Sequence, residues 1–364
     1  LILVAVAVGS TQLGFSTVIE AVLSGRSDDP VSRIVLDLRL PRALLAVMVG
    51  AGLGLVGAVL QTLTRNDLAD PFLFGLSSGA AAGAVVVITV TGNILGFWTL
   101  PVAAFAGGLV SSMIVLGLFG KLAQQSPSQM VLAGLAGSFL FLALTYYLVF
   151  AGDQRAAHSI LFWTLGGLGL ASWKILPFAL VGLIAIAALA IITHRSLDAL
   201  LAGDDAANTL GVNVRRYRQF AFLVCAFATA SFVALTGVIG FVGLMVPHLA
   251  RGLVGPLHGA LLLCSAVIGA VLLLASDIGA RILLAPQELP IGVLTTAVGA
   301  MFVLFLVGNQ INDINKSIKT LKASIILSNI ITPKDSEAVI LFPCDIEYAF
   351  KTSPRRKNKI LLPK

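Results

Sequence analysis

Long apolar runs separated by short polar interruptions dominate the first three hundred residues of the chain. About 20 apolar residues in a helix cross a hydrocarbon core about 30 Å thick. One such run would fit a buried helix or a signal peptide, but a succession of them predicts an all-α, multi-pass protein of the lipid bilayer. The ten runs are residues 1–15, 43–63, 73–91, 97–119, 129–151, 175–193, 219–237, 239–254, 259–280 and 289–307.

Composition supports the same fold class. The chain has 364 residues, of which 58% are hydrophobic and only 11% charged, whereas a soluble domain carries about 25% charged residues. The 36 glycines fit helices that pack closely in lipid, where small residues let two backbones approach.

Two segments depart from the simple succession of spans. Residues 160–173 are half apolar and rich in glycine, which predicts a short interfacial or re-entrant helix anchored by Trp163 and Trp173. The chain starts at Leu1, so we interpret residues 1–15 as part of a span whose true N-terminus is missing; a cleaved signal peptide is the alternative.

The charges are unevenly distributed along the chain. Residues 308–364 hold ten of the 24 basic and five of the 17 acidic residues, so the net charge of +7 mostly reports this tail and indicates no nucleic-acid partner. We expect a transmembrane domain of residues 1–307 and a polar, basic, poorly ordered C-terminal extension of residues 308–364. The alternative for the extension is a segment that lies on anionic headgroups.

Basic residues also bear on orientation. The cluster Arg215, Arg216 and Arg218 places the loop after the sixth run on the cytoplasmic side. Arginines then remain on the outer side against the usual bias, and a partner protein would explain them.

The most informative polar segment is residues 38–79. It contains Arg39-Leu40-Pro41-Arg42, in which a proline in the first helical turn would fix two arginines at a membrane face. Glycines follow at a spacing that forms a smooth ridge for another helix.

Residues 203–212 form a second polar segment between two spans. Acidic residues at its start and Gly211 near its end predict a short helix that begins near Asp204. Such a helix is either a mechanical handle for a cytosolic partner or an ordinary solvated connector.

Two further segments carry polar residues near span ends. Residues 237–251 read Gly-Val-Ile-Gly-Phe-Val-Gly-Leu-Met-Val-Pro-His-Leu-Ala-Arg, and residues 288–292 read Glu-Leu-Pro-Ile-Gly. Asp277 and Arg281 lie four residues apart and are expected to pair on one helix face. That pair is structural, a docking site, or both.

These four segments, in this order, resemble the FecCD/BtuC-type permeases of ABC importers for ferric siderophores, haem and cobalamin. The resemblance covers about residues 1–307. It implies a type II importer permease with about ten transmembrane helices in the bacterial inner membrane. It also implies two cytosolic ABC ATPase subunits, a periplasmic substrate-binding protein and a second permease copy or homologue.

The resemblance assigns roles to particular residues. Arg39, Arg42 and Arg281 match outward-facing arginines that meet acidic residues of the binding protein. The helix that couples the permease to the ATPase would comprise Asp204, Asp205, Ala206, Ala207, Asn208, Thr209, Leu210 and Gly211. Gly75, Ser77, Ser78 and Gly79 would line the pathway. The family usually has proline where this chain has Asp67, and it normally ends near the tenth helix, which leaves residues 308–364 unexplained.

No catalytic residue, metal ligand or bound cofactor is predicted. The nearest approach to a phosphate-binding loop, residues 117–122, lacks the glycine spacing and the Ser or Thr after the lysine. ATP is therefore expected to be used by the partner ATPase. The alternative function is an ion-coupled secondary transporter, although the predicted span centres hold almost no ionisable residues. Among substrates, a ferric siderophore or related iron chelate comes before haem and cobalamin.

Overall fold

The computed structural model describes residues 1–9, 14–24, 29–92, 94–121, 126–152 and 154–308. The predicted extension of residues 308–364 therefore lies outside the described residues, except for Gly308. By its contacts the chain divides into the units Leu1–Leu304 and Phe305–Lys364, and all the clusters below belong to the first.

The described part of the chain is helical and contains no strand. In chain order its helices are α1 (Ile2–Ala7), α2 (Phe15–Ser24), α3 (Pro30–Arg33), α4 (Leu40–Thr64), α5 (Leu76–Val86), α6 (Thr99–Lys121), α7 (Pro127–Ala151), α8 (Gln154–Thr164), α9 (Leu176–Leu201), α10 (Asp204–Thr209), α11 (Val214–Thr236), α12 (Val242–Val254), α13 (His258–Ile282) and α14 (Ile291–Gly308).

The predicted spans correspond closely to these helices, but their exact number is not confirmed. Seven helices in the described residues are long and apolar enough to cross a bilayer. Leu76–Thr91 and Val242–Val254 are apolar but shorter; the latter rises about 20 Å, less than a hydrocarbon core. The predicted run 1–15 is not one continuous span, because α1 ends at Ala7 and α2 starts at Phe15.

The short helix predicted within residues 160–173 lies earlier than expected, and its interfacial placement stays a prediction. It is α8, and residues 165–175 after it form turns. Gly166 has a φ of 70°, and the N–H of Gly167 donates to the carbonyl of Thr236 at 2.7 Å. The glycines thus let this segment pack on the end of α11, which a regular helix would prevent.

Helix α4 lies at the centre of the bundle. Its apolar window is 78% buried, against 22–39% in most of the other long helices. It is continuous with α3 through a wide turn at Ile34–Arg39. Pro41 lies in the first turn of α4, as predicted. Its ring removes a backbone donor, which accounts for the irregular turn that precedes the helix.

Glycines bring α4 and α13 into backbone contact. A side chain on Gly50 would overlap the carbonyl of Gly269, and one on Gly54 would overlap that of Ser265. The predicted glycine ridge is therefore a helix-packing surface, as small residues are in other membrane bundles.

Candidate functional site

Charged residues gather at the two ends of α4. Arg42 lies in its first turn and Arg65 caps its C-terminus with a φ of 47°. A helix rises 1.5 Å per residue, so these residues are about 35 Å apart, slightly more than a hydrocarbon core. One cluster is therefore expected at each membrane face.

The outer cluster consists of Arg39, Arg42, Asp277, Arg281 and Glu288. Nε of Arg42 donates to Asp277 at 2.8 Å, and its Nη1 donates to Glu288 at 2.8 Å. Nη2 of Arg281 lies 2.9 Å from the other oxygen of Asp277, which confirms the predicted pairing of residues four apart. Asp277 is completely buried, whereas the side chain of Glu288 is 47% exposed.

Two of these arginines also hold the end of α1. Nη1 of Arg39 donates to the carbonyls of Val6 and Ala7, both at 2.9 Å. Arg281 donates to the carbonyls of Ala5 and Val8 at 2.9 and 2.7 Å. The last carbonyls of a helix have no partner within it and carry partial negative charge, so guanidinium groups satisfy and stabilise them.

The three predicted docking arginines thus lie together, but they differ in access. Arg39 is 8% exposed and Arg281 is 4% exposed, while the side chain of Arg42 is 16% exposed. A cavity of about 370 Å³ opens beside them and is bordered by Glu288. Arg42 and Glu288 are the members that an incoming protein would meet most directly, and the docking role itself stays a prediction.

The inner cluster is centred on Asp204, the first residue of α10. Its Oδ1 accepts from Nη2 of Arg65 at 2.7 Å and from Nη2 of Arg218 at 3.0 Å. Nε of Arg218 donates to the carbonyl of Leu63 at 3.0 Å, and Arg218 is only 2% exposed. The start of α10 is therefore attached to both α4 and α11.

Helix α10 occupies the position predicted for the coupling helix. Gly203 and Gly211, on either side of it, have φ values of 117° and 85°, which glycine adopts readily. Ala207 is buried, whereas Leu210 is 71% exposed. One face of α10 is thus fixed to the bundle, and the residue that ends the helix presents a large apolar side chain outward, as the binding of a partner requires; the coupling role itself stays a prediction.

A third polar group, the histidine bridge, consists of Thr62, Asp198 and His258. Nδ1 of His258 lies 2.7 Å from Oδ1 of Asp198, and Nε2 lies 2.7 Å from Oγ1 of Thr62. His258 is completely buried. Sequence reasoning missed this bridge, because its members lie on three helices and no local spacing connects them.

The segment after α4 contains a further ion pair and a buried carboxylate. Asp67 lies 3.1 Å from Nη1 of Arg251. Asp70 is 5% exposed and accepts from the N–H of Phe72 at 2.8 Å. Burial raises the pKa of Asp70 to about 6, although the N–H groups of Phe72 and Leu244 act against this shift.

The predicted pathway residues lie at the start of α5. Gly75 has a φ of 75°, and its carbonyl accepts from Ser111 at 2.6 Å and from Ser78 at 3.1 Å. Ser77 is 7% exposed, and a side chain on Gly79 would overlap α6. Gly75 and Gly79 therefore contact other helices of the same chain, and the pathway assignment stays a prediction.

Comparison with known proteins agrees with this architecture. The model of the FecCD transport family matches residues 1–309. The chain belongs to this family. It is 38% identical over 314 residues to the hemin transport system permease protein HmuU of Yersinia pestis, covering 85% of this chain and 94% of that protein. It is 38% identical over 273 residues to the Fe(3+) dicitrate transport system permease protein FecD of Escherichia coli, covering 75% and 84% of the two chains.

A solved structure shares the fold as well as the sequence. It is an ABC transporter in an inward-facing conformation, with a TM-score of 0.68 and 32% identity, covering 81% of this chain and 96% of that one. The chain is thus a multi-pass permease subunit of the ABC importer class.

Proposed function

We propose that this chain carries a ferric siderophore or a related iron chelate across the bacterial inner membrane by ATP-driven alternating access. Haem and cobalamin are the next candidates. The relative named for Fe(3+) dicitrate supports an iron chelate, and the relative named for hemin is the reason that haem is a candidate as well.

The proposed assembly contains two permease subunits, two cytosolic ATPase subunits and a periplasmic binding protein. This chain supplies the membrane pathway and binds no cofactor, while the ATPase subunits hydrolyse ATP. The ATPase seats the coupling helix, residues 204–211, and closure of the ATPase pair moves that helix as a rigid body.

The attachment of Asp204 to Arg65 and Arg218 is the observation that carries this mechanism. The two ion-pair contacts of 2.7 and 3.0 Å connect the start of α10 to the ends of α4 and α11. Helix α11 follows α10 directly in the chain, but α4 does not, so the contact with Arg65 joins α10 to a further helix. A displacement of α10 is therefore transmitted to the bundle. A solvated connector would need neither contact.

The outer cluster supports the docking of an acidic partner. Arg39, Arg42 and Arg281 contribute three positive charges, against two carboxylates in the same cluster. The excess of positive charge would steer and orient a binding protein that presents carboxylates.

The test is assembly and transport with a matched pair of leucine variants. Leu210, which directly follows α10, is 71% exposed. Leu284, which lies just beyond the end of α13 that is opposite to His258, is 56% exposed. The chain would be reconstituted in lipid with a candidate ATPase and binding protein. Leu210→Asp should abolish co-purification of the ATPase, whereas Leu284→Asp should leave it unchanged.

Uptake into the same vesicles identifies the substrate. We expect ATP-dependent uptake of a radiolabelled ferric chelate, with haem and cobalamin compared under identical conditions. Uptake driven by an ion gradient without any ATPase would contradict the proposal and favour the secondary transporter.

A further inference from the structure

Helices α4 and α13 are joined by polar contacts at both membrane faces. At the inner end Oγ1 of Thr62 lies 2.7 Å from Nε2 of His258, and at the outer end Arg42 donates to Asp277 at 2.8 Å. Along each helix the two contacts are separated by about 30 Å, since Arg42 and Thr62 are 20 positions apart on α4 and His258 and Asp277 are 19 positions apart on α13. The antiparallel pair is thus fixed in register at both ends.

Between these contacts the two helices touch through their backbones. Gly50 meets the carbonyl of Gly269, and Gly54 meets that of Ser265. Where two backbones touch, no flexible side chain lies between them to absorb a displacement. The closely packed interface therefore resists small shifts of one helix against the other. The pair is therefore expected to move as one body.

The inner end of this pair is connected to the coupling helix through α9. Oδ1 of Asp198 accepts from the backbone N–H of His258 at 2.8 Å and lies 2.7 Å from its Nδ1. Asp198 is in the last turns of α9, and α10 begins six residues later at Asp204. A displacement of α10 that moves the end of α9 is thus passed to α13 through Asp198 and His258.

The imidazole of His258 uses both nitrogens for this connection. Because a carboxylate only accepts, Nδ1–H donates to Asp198, and Nε2 pairs with the hydroxyl of Thr62. One fully buried ring therefore joins α9, α13 and α4, and each of its contacts depends on the other for the orientation of the ring.

We propose that Thr62, Asp198 and His258 are positioning residues that couple binding-protein docking at the outer cluster to the coupling helix, through α4 and α13 moving as one body. This inference rests on the proposed function. Docking shifts the outer end of the pair, the pair moves without changing its register, and the histidine bridge passes the displacement to the end of α9.

The test uses three threonine variants in the last turns of α4. Thr62→Val keeps the shape of the side chain but removes the hydroxyl that meets His258, whereas Thr62→Ser keeps the hydroxyl. Thr64→Val is the control, because the hydroxyl of Thr64 is also buried but donates only within its own helix, to Leu60 at 2.7 Å. The measurement is the ATPase rate of the reconstituted complex, with and without binding protein, together with the affinity of the binding protein.

Thr62→Val should lower the stimulation by binding protein about two- to thirty-fold, the range expected when a residue along a coupled network is changed. Thr62→Ser should restore most of the stimulation, and Thr64→Val should behave as the unmodified chain. The unmodified chain and the three variants should bind the binding protein with the same affinity. A general loss of structure would instead weaken this binding.

Each other outcome overturns a distinct statement. If binding protein stimulates the ATPase rate equally in Thr62→Val and Thr64→Val, the histidine bridge is only structural and the inference is wrong, while the proposed function stands. If the unmodified chain forms no complex with any ATPase, the proposed function itself fails.

Discussion

Nε of Arg42 lies 2.8 Å from Oδ1 of Asp277, a carboxylate that is completely buried. The second oxygen of Asp277 lies 2.9 Å from Arg281. One carboxylate therefore balances two guanidinium groups, one on α4 and one on α13. A buried charge is tolerated only when it is paired, so the three residues depend on one another.

Replacing Asp277 should be far more damaging than replacing the other carboxylate of the outer cluster. Asp277→Asn leaves Arg281 buried without its counter-charge, which should lower the free energy of unfolding by about 3–5 kcal/mol. Glu288→Gln removes a half-exposed ion pair and should cost less than about 1 kcal/mol. Thermal unfolding of the two purified variants in detergent measures the difference, and similar midpoints would refute the central role of Asp277.

Backbone contact between α4 and α13 predicts the effect of one added methyl group. Gly50→Ala should destabilise the chain by about 1–3 kcal/mol, because the new carbon would overlap the carbonyl of Gly269. Gly117→Ala is the matched control on α6, where nothing lies within 4 Å of an added carbon. There the change should be neutral or stabilising by up to about 1 kcal/mol, because alanine favours a helix more than glycine does. A loss of stability in both variants would mean that the contact at Gly50 is not responsible.

The raised pKa of Asp70 predicts how its contribution to stability depends on pH. The folded pKa of about 6 lies above the ordinary value of 3.8, so between these values the folded chain binds more protons than the unfolded chain. The contribution of Asp70 to stability should therefore fall as the pH rises from about 4 to about 6.

Asp70→Asn isolates this contribution. Asparagine can still accept a hydrogen bond from the N–H of Phe72 but carries no charge. The variant therefore keeps this hydrogen bond and removes the titration. Near pH 4 the variant and the unmodified chain should unfold at similar temperatures, and above pH 6 the variant should be the more stable one. All other titratable groups are shared, so a difference that does not change with pH would contradict the assignment.

The sequence predicted most spans and the short helix at α10, because hydrophobic runs and capping residues are local signals. It also predicted the pairing of Asp277 with Arg281, since residues four apart share a helix face. The end of the first run and the exact position of α8 were missed, because both depend on glycines and on packing against other helices.

Contacts between distant parts of the chain could not be predicted. Arg281 donates to the carbonyl of Val8, 273 residues away, and the partner is a backbone group that every residue possesses. The histidine bridge likewise joins His258 to Thr62 and Asp198 across three helices, so only the folded chain reveals that a single histidine near a span end has two partners.

The inner cluster makes the last prediction, because two arginines share the carboxylate of Asp204 but differ in burial. The side chain of Arg65 is 40% exposed, whereas that of Arg218 is 3% exposed and also donates to the carbonyl of Leu63. Arg65→Gln should change the free energy of unfolding by less than about 1 kcal/mol, as for other exposed ion pairs.

Arg218→Gln should cost about 1–3 kcal/mol, because it leaves a buried carbonyl and part of the Asp204 carboxylate without their donor. If α10 is attached to the bundle mainly through Arg218, this variant should also expose residues 204–211 to faster amide hydrogen exchange, while Arg65→Gln should not. Exchange measured by mass spectrometry on both variants decides between them. Equal protection of α10 in both would mean that the packing of Ala207, rather than charge, holds the helix in place.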